Sequence, residues 1–158
     1  MPELTHLSDS DQPRMVDVSH KPETVRTATA GCNVTLGADL LSQMQDGELR
    51  NKKGPVLHTA ILAGIQATKH TSTLIPLCHP LPLDSAKVDI TPLDPETLQV
   101  TCTTRTTGKT GVEMEALTGA SVAALTLYDM CKSANPAILL SDLKLLEKTG
   151  GKSDFKIQ

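Results

Sequence analysis

Aromatic side chains are nearly absent from this sequence of 158 residues, which has no Trp, one Tyr and one Phe. A surface that stacks single-stranded nucleic acid needs several aromatic rings, so the composition argues against that class of protein. The formal net charge of −3 also argues against a general polyanion binder. A core without large rings is packed from small aliphatic side chains, and we therefore expect the chain to gain stability by self-association.

Paired cysteines, long apolar runs and a secretion signal are also absent. The cysteines lie far apart without CxxC or zinc spacing, which predicts free thiols in a reducing compartment. No apolar run reaches the roughly 18 residues that span a membrane, and the first residues are polar and acidic. We therefore expect a cytoplasmic protein without a membrane partner. The cysteines are Cys32, Cys78, Cys102 and Cys131.

The pattern of apolar residues predicts a single domain over residues 14–158, preceded by a flexible arm over residues 1–13. Strands that form hairpins, with helices between them, are typical of an α+β fold with an antiparallel sheet and helices on one face. The alternating segments predict strands at 14–19, 24–36 (broken at Gly31), 85–93, 97–107 and 138–148. Helical spacing predicts helices at 37–48, 56–70 and 116–134, and the remaining loops include 73–83 and 149–158.

Small residues recur on one face of the helix predicted at 56–70, for example at Gly64. The helix predicted at 116–134 carries a similar set, which includes Gly119. Small residues let two helix backbones approach closely. We therefore expect these helices to pack tightly, either within one chain or between subunits.

The last turn of the helix predicted at 116–134 carries Asp129 and Lys132. Helical spacing places both on one stripe with Val122 and Leu125. One interpretation is an exposed ion pair at a helix end, which contributes only about 0.3 kcal/mol to stability. The other is an acid and a base that line a pocket, because the apolar residues on both sides of the helix predict burial nearly all round.

Glu113 and Glu115 lie two residues apart, just before this helix. In an extended segment, both carboxylates would point to one side and would bind a cation or a basic ligand, or share a proton. In the first turn of the helix, both would be favoured by the helix dipole alone. A carboxylate pair also suits the row of N–H donors on a guanine-like ring. Residue spacing leaves these interpretations open.

His79 lies in the segment 73–83, whose three prolines exclude a helix. A lone His in an apolar loop is usually a packed, hydrogen-bonded residue. The prolines on both sides of His79 nevertheless fix the backbone in the way that a substrate-contacting group requires. Both interpretations of His79 therefore stand.

Three basic segments are candidates for phosphate binding. Lys52 and Lys53 precede the N-terminus of the helix predicted at 56–70, where a phosphate is favoured, although a solvated lysine pair is the more common case. The segments "TGKTG" (107–111) and "GGKS" (150–153) lack the first glycine of a P-loop. Neither is a nucleotide-binding fingerprint, and both stay possible basic loops.

Five segments of the sequence together resemble the molybdenum cofactor biosynthesis protein C family, the cyclic pyranopterin monophosphate synthases. The resemblance covers nearly the whole chain, from about Leu4 to Lys156, and "GGKSDF" near the end also fits, with a spacing one residue shorter than in the family. The five segments are "MVDVSHKPETVR" (15–26), "KGPV" (53–56), "AGIQATK" (63–69), "LIPLCHPL" (74–81) and "TGKTGVEMEALTGASVAALTLYDMCK" (107–132).

The resemblance implies a ferredoxin-like α+β fold and a homohexamer built as a trimer of dimers, with active sites at the dimer interfaces. It implies a phosphorus–oxygen lyase of molybdenum cofactor (molybdopterin) biosynthesis. The substrate would be a cyclised dihydroguanosine triphosphate, derived from a purine nucleotide, and the products cyclic pyranopterin monophosphate and diphosphate. No metal site and no tightly bound cofactor are expected, and Mg²⁺ is expected only as a possible companion of the triphosphate.

The resemblance also implies site residues. Asp129, Lys132 and Lys53 match the catalytic residues of the family. Burial and mutual contact would bring the pKa values of Asp129 and Lys132 toward neutrality, as an acid and base pair requires. The residues that match the family's substrate contacts are Arg26, Leu77, Cys78, His79, Glu113, Met114 and Glu115.

Two functions of other classes remain as alternatives. A phosphometabolite sensor would bind a purine triphosphate in the same basic pocket and leave it intact. An assembly protein would use Asp129 and Lys132 as an ion pair between subunits, so substitution of either residue would break the oligomer. Phosphate analysis and gel filtration distinguish these alternatives from the synthase.

Overall fold

A five-stranded antiparallel sheet forms the main layer of the protein in the computed structural model, which describes residues 12–158. The arm predicted over residues 1–13 falls, up to residue 11, outside the described residues, so its boundary stays a prediction. The strands are β1 (Thr24–Thr35), β2 (Arg50–Asn51), β3 (Gly54–Pro55), β4 (Ser85–Pro92), β5 (Thr97–Gly108), β6 (Leu139–Thr149) and β7 (Phe155–Lys156). The helices are α1 (Ala38–Leu41), α2 (Val56–Thr68), α3 (Thr71–Leu74) and α4 (Glu113–Cys131).

The order of the strands in the main sheet is β4-β5-β1-β6-β7, and β2 and β3 form a separate hairpin. Helix α2 lies between β1 and β4 along the chain, and α4 connects β5 to β6. This is the split β-α-β arrangement of the ferredoxin-like fold, in which each helix crosses over an intervening antiparallel strand. Helices α2 and α4 pack on the sheet and on each other. The predicted α+β fold with helices on one face is confirmed.

Most long elements are those that the sequence pattern predicts. The strands predicted at 24–36 and 138–148 are confirmed as β1 and β6, and the predicted hairpin is confirmed as β4 and β5. The helices predicted at 56–70 and 116–134 are confirmed as α2 and α4. The loop predicted at 73–83 is present after α3 ends at Leu74. Strong periodicity over ten or more residues therefore identified the elements that position the site.

The small-residue faces of α2 and α4 meet within one chain. A Cβ atom at Gly64 would lie 2.9 Å from the main-chain oxygen of Gly119. A Cβ atom at Gly119 would lie 2.7 Å from Cγ2 of Thr68 and 2.5 Å from Sγ of Cys102. Both positions therefore require glycine for this helix approach, and the expected tight packing is confirmed as an intrachain contact.

The stripe of α4 that carries Asp129 faces outward. The side chains of Asp129 and Lys132 are 55% and 54% exposed, and Leu125 on the same stripe is 56% exposed. Ala123 and Leu127, on the opposite side, are buried. Within one chain, the prediction of burial nearly all round is therefore wrong, because the sheet and α2 cover only one side of α4. Among residues 12–158, no helix combines the length and hydropathy that a membrane crossing requires.

The helix predicted at 37–48 is wrong in length, because α1 contains only four residues. Asp46 and Gly47 both have positive φ values, 51° and 74°, which a helix does not allow. Gln45 and Glu48 exchange main-chain hydrogen bonds across them. Asp-Gly at the centre of a tight two-residue turn is a known signal for this geometry. The turn places Glu48 directly before the β2–β3 hairpin.

Three smaller predictions are also wrong. Residues 14–19 form no strand, because the Asp17 carboxylate accepts the N–H of Ser19 and closes a local turn. Strand β1 is not broken at Gly31, and the irregular pairing with β6 on either side of this residue arises from extra residues on β6. The tail at 149–158 contains β7, which pairs with β6. The β2–β3 hairpin has no counterpart among the predicted elements.

Candidate active site

Asp129 lies between two lysines at the C-terminal end of α4. Its Oδ1 atom is 2.8 Å from Nζ of Lys132, which is one turn farther along the chain. Its Oδ2 atom is 3.0 Å from Nζ of Lys53, which is at the tip of the β2–β3 hairpin. Lys53 also donates to the main-chain oxygen of Asp129 at 3.2 Å. The structure therefore brings together the three residues that are predicted to be catalytic.

The two lysines stabilise the charged form of the Asp129 carboxylate. Hydrogen bonds from Lys132 and then from Lys53 lower the pKa of Asp129. The hydrogen bond to Asp129 raises the pKa of Lys132. Both side chains are about half exposed, so water solvates the charged forms and burial has little effect. The expectation that both pKa values move toward neutrality is therefore wrong in this chain, where they move apart.

A groove of about 260 Å³ lies at the other end of α4, against its first turn. The loop that follows α3 forms one wall, and the N-terminal residues of α4 form the other. The structure thus brings most of the predicted substrate contacts into one groove. These lining residues are Leu77, Cys78, His79, Glu113, Met114 and Glu115.

Glu113 and Glu115 are both in the first turn of α4, so the extended interpretation is wrong and the helical one is correct. Two residues on a helix are separated by about 200°, and the two carboxylates therefore point in different directions. Oε1 of Glu113 accepts a hydrogen bond from Lys148 at 3.1 Å. Glu115 is only 4% exposed. Burial, together with the nearby charge of Glu113, raises the pKa of Glu115.

His79 is held by a hydrogen bond between its Nε2 atom and the main-chain oxygen of Val16, at 2.7 Å. In a neutral ring this bond places the proton on Nε2, so Nδ1 is an acceptor. Burial and then the charge of Glu115 raise the pKa of the neighbouring Cys78. Cys78 therefore stays a thiol at neutral pH, which suits a packing contact better than a nucleophile.

A basic cleft of about 600 Å³ adjoins the groove and shares Glu113 with it. Arg26 lies in this cleft, and its Nε atom donates to the main-chain oxygen of Gly108 at 3.0 Å. Lys21, Lys148 and Lys152 supply the other cationic side chains. Because Glu113 pairs with Lys148, the remaining charge of the cleft is positive. Such a site favours an anion with several oxygens, such as a phosphate chain.

The sequence pattern did not identify Lys21, Lys148 and Lys152 as site residues. The sequence contains two signals for these residues: Lys152 belongs to the basic segment "GGKS", and Lys21 lies within "MVDVSHKPETVR". Gly150 of the first segment has a φ value of 84°, and a Cβ atom there would lie 1.9 Å from the main-chain oxygen of Val25. The glycine therefore lets the loop lie directly against β1, which brings Lys152 to the cleft.

The two groups of site residues lie at opposite ends of α4. Glu113 is the first residue of the helix and Asp129 is near its end, so their backbones are separated by about 24 Å at 1.5 Å per residue. The basic cleft, which Glu113 lines, therefore lies at the end of α4 opposite to Asp129. The fold of one chain therefore assembles each half of the predicted site and keeps the halves apart.

Comparison with known proteins assigns the family. The model of the MoaC family matches residues 15–151. The cyclic pyranopterin monophosphate synthase of Desulfitobacterium hafniense is 50% identical, over 99% of this chain and 94% of that protein. The enzyme of the same name from Xanthomonas campestris pv. campestris strain 8004 is 50% identical, over 96% and 92% of the two chains. Cyclic pyranopterin monophosphate synthase 1 of Mycobacterium tuberculosis strain CDC 1551 is 51% identical, over 95% and 87%. The chain therefore belongs to the MoaC family.

Proposed function

We propose that this protein is a cyclic pyranopterin monophosphate synthase of molybdenum cofactor biosynthesis. It would convert a cyclised dihydroguanosine triphosphate to cyclic pyranopterin monophosphate and diphosphate. The observation that carries the proposal is about 50% identity with relatives of this name over nearly the whole of both chains. The chemistry of the two clusters at the ends of α4 supports it.

The basic cleft and the groove suit the two parts of such a substrate. Lys21, Arg26 and Lys152 supply positive charge for the triphosphate. Glu113 and Glu115 lie beside that charge and supply acceptors for the N–H groups of the guanine-derived ring. Because Glu113 lines both cavities, one extended ligand can occupy the cleft and the groove together.

The cluster at Asp129 supplies the groups for proton transfer and charge stabilisation. In the phosphate step, a hydroxyl oxygen of the substrate attacks the α-phosphorus, and the bond from that phosphorus to the bridging oxygen breaks. Asp129 is ionised at neutral pH and accepts the hydroxyl proton, and the two lysines that lower its pKa make it a weaker base than an isolated Asp. Lys132 and Lys53 neutralise the negative charge that develops as diphosphate leaves. The ring rearrangement needs further proton transfers, for which the same cluster is suited.

We further propose that the enzyme is a homohexamer, a trimer of dimers, with each active site shared between two chains. The separation of about 24 Å along α4 supports sharing, because a second chain must bring Asp129 to the cleft. Exposed leucines support extensive self-association, since large apolar side chains on a surface commonly mark an interface. Among these exposed leucines are Leu62, Leu125, Leu139 and Leu143.

We propose a cytoplasmic location and no tightly bound cofactor. Four thiols without a disulfide suit a reducing compartment. Any Mg²⁺ would enter with the triphosphate, whose oxygens are the ligands this ion prefers. Turnover in the presence of EDTA, compared with turnover in added Mg²⁺, tests whether the reaction depends on a bound metal ion.

Incubation of the purified protein with the cyclised triphosphate tests the proposed function. We expect diphosphate and cyclic pyranopterin monophosphate in equal amounts. The variants Lys132→Ala and Asp129→Asn are expected to assemble normally in gel filtration and to form no product. Binding of the triphosphate without its conversion would instead indicate a sensor. Loss of the oligomer in both variants would indicate a role in assembly.

A further inference from the structure

The β2–β3 hairpin that carries Lys53 has little intrinsic stability. Each strand contains two residues, and Lys52 and Lys53 form the turn between them. An isolated two-stranded hairpin is marginal in water even when it is longer. The position of the Lys53 ammonium on Asp129 must therefore depend on contacts made by other residues of this segment.

Asn51 connects the tip of this hairpin to α4. Its Nδ2 atom donates to the main-chain oxygen of Met130 at 2.6 Å. Its Oδ1 atom accepts the main-chain N–H of Lys53 at 2.8 Å. Met130 follows Asp129 directly and lies in the last turn of the helix, where carbonyl groups lack intrahelical partners. One side chain thus orients the backbone of Lys53 and anchors it beside Asp129.

Glu48 closes the base of the same hairpin. Its Oε1 atom accepts the N–H groups of Leu49, before β2, and Leu57, after β3, at 2.7 Å each. Its Oε2 atom accepts the N–H of His58 at 3.1 Å and contacts the imidazole Nδ1 of the same residue. Pro55, at the N-cap of α2, makes no side-chain capping bond, so Glu48 supplies this cap from across the hairpin.

We propose that Asn51 and Glu48 are positioning residues for Lys53. Glu48 holds the two ends of the hairpin together, and Asn51 fixes its tip on the last turn of α4. Together they keep the Lys53 ammonium on Asp129, and they act through Lys53 without contact with the reacting atoms. This inference rests on the proposed function, because it assigns Lys53 a part in turnover.

The first test uses Asn51→Ala, which removes both hydrogen bonds. We expect kcat to fall by about 10- to 100-fold, as for a displaced catalytic group, while KM changes little. Asn51→Ser keeps an acceptor near the N–H of Lys53 but cannot reach Met130, and we expect most of the same loss. Gln43→Ala is the matched control, since it removes an exposed amide that donates to the main-chain oxygen of Asp39 at 2.9 Å. The control is expected to retain wild-type kinetics.

A double-mutant cycle separates positioning from a general structural role. If Asn51 acts through Lys53, Asn51→Ala causes no further loss of kcat in the Lys53→Ala background. A purely structural role would multiply the two losses, and that result would overturn the inference. Wild-type kinetics for Asn51→Ala would overturn it as well. Failure of the wild-type protein to form product would contradict the proposed function instead.

Glu48→Gln tests the base of the hairpin and keeps the size and one acceptor oxygen of the side chain. We expect lower thermal stability together with a smaller loss of kcat than in Asn51→Ala. In the Lys53→Ala background, Glu48→Gln is expected to cause no further loss of kcat. If Glu48→Gln only reduced the amount of folded protein, the loss would be the same in both backgrounds. If Glu48→Gln does not fold, the Asn51 cycle decides the proposal.

Discussion

Glu113 and Asp129 occupy opposite ends of one helix, about 24 Å apart, although both belong to the predicted active site. An active site built from both residues must therefore combine the N-terminal end of α4 from one chain with the C-terminal end from another. Reciprocal contributions of this kind are natural at a two-fold interface, where each chain supplies both halves. Experiments can therefore test whether Glu113 and Asp129 of one active site come from two different chains.

Mixed oligomers of two inactive variants should regain activity. In a dimer of Asp129→Asn with Glu113→Gln, one shared site carries both substitutions and the other carries neither. Random mixing should therefore restore roughly a quarter of wild-type activity, because half of the dimers are mixed and each has one intact site. The measurement is diphosphate release after co-expression of differently tagged chains. No activity in oligomers purified through both tags would show that both residues serve the same chain's site.

Asp129 should titrate below its usual range, because Lys132 and Lys53 stabilise its charged form. Replacement of Lys53 by Gln removes one hydrogen bond and one positive charge, so the pKa of Asp129 should rise toward its ordinary value. The carboxyl ¹³C signal of Asp129, followed by NMR between neutral and acidic pH, measures this shift. Lys87→Gln is the control, since Lys87 pairs with Asp89 on the sheet. An unchanged titration in the Lys53 variant would contradict the contact between Lys53 and Asp129.

Glu48 should make folding stability depend on pH in the acidic range. Burial alone would raise its pKa, but hydrogen bonds from His58 and the N-terminal N–H groups of α2 lower it from 4.5 to about 2. A lowered pKa in the folded state stabilises the protein above pH 4.5, and this contribution is lost as the pH falls toward 2. The shift corresponds to at most about 3 kcal/mol.

Glu48→Gln should therefore flatten the pH dependence of stability between neutral pH and pH 2. Urea unfolding at a series of pH values, with the oligomer concentration held constant, measures the free energy of unfolding. Glu96→Gln, which removes an exposed carboxylate, should leave the slope as in the wild-type protein. A Glu48→Gln slope that equals the wild-type slope would show that the carboxylate contributes no pH-dependent stability.

The local geometry of the site could be predicted from spacing, and the contacts between distant segments could not. Three-residue helical spacing is enough to place Asp129 beside Lys132. The contact with Lys53 depends on a hairpin that begins after the Asp46-Gly47 turn. The apolar spacing of the preceding residues favoured a continued helix there, although Asp-Gly indicated the turn. Acidic residues usually lie on the surface, but Glu48 is buried because N–H groups of α2 need a partner.

The residues of the basic cleft also could not be grouped from their spacing, because they come from segments that are far apart in the sequence. Arg26 and Lys148 lie close together because β6 pairs with β1, and register between distant strands is not specified by either strand alone. For Glu113 and Glu115, residue spacing is compatible with both an extended segment and a helical turn. Only the observed start of α4 at Glu113 shows that this segment is helical. The resemblance to a family identified the predicted site residues. Only the fold shows that they form two groups, one at each end of α4.

The close approach of α2 and α4 should be sensitive to a single methyl group. Gly119→Ala would place a Cβ atom 2.5 Å from Sγ of Cys102, so helices or sheet must shift. We expect the free energy of unfolding to fall by about 1–3 kcal/mol, as for an overpacked core. Gly108→Ala is the control, because its nearest contacts at 3.6 Å are ordinary. Equal stability of both variants in urea unfolding would contradict the packing described for Gly119.

Lys152 should contribute to triphosphate binding and little to the chemical step. It lines the basic cleft and does not belong to the Asp129–Lys132–Lys53 cluster, so in the proposed function its ammonium would bind phosphate oxygens without taking part in proton transfer. Lys152→Ala should therefore raise KM by about tenfold, which corresponds to a charged hydrogen bond of roughly 1.4 kcal/mol, with kcat nearly unchanged. Lys144→Ala, which removes the partner of Asp142 on β6, is the matched control with unchanged KM. Added salt should weaken binding less in the Lys152 variant than in the wild-type protein, because one charge contact is missing. A fall in kcat with unchanged KM would assign Lys152 to the reaction instead of to binding.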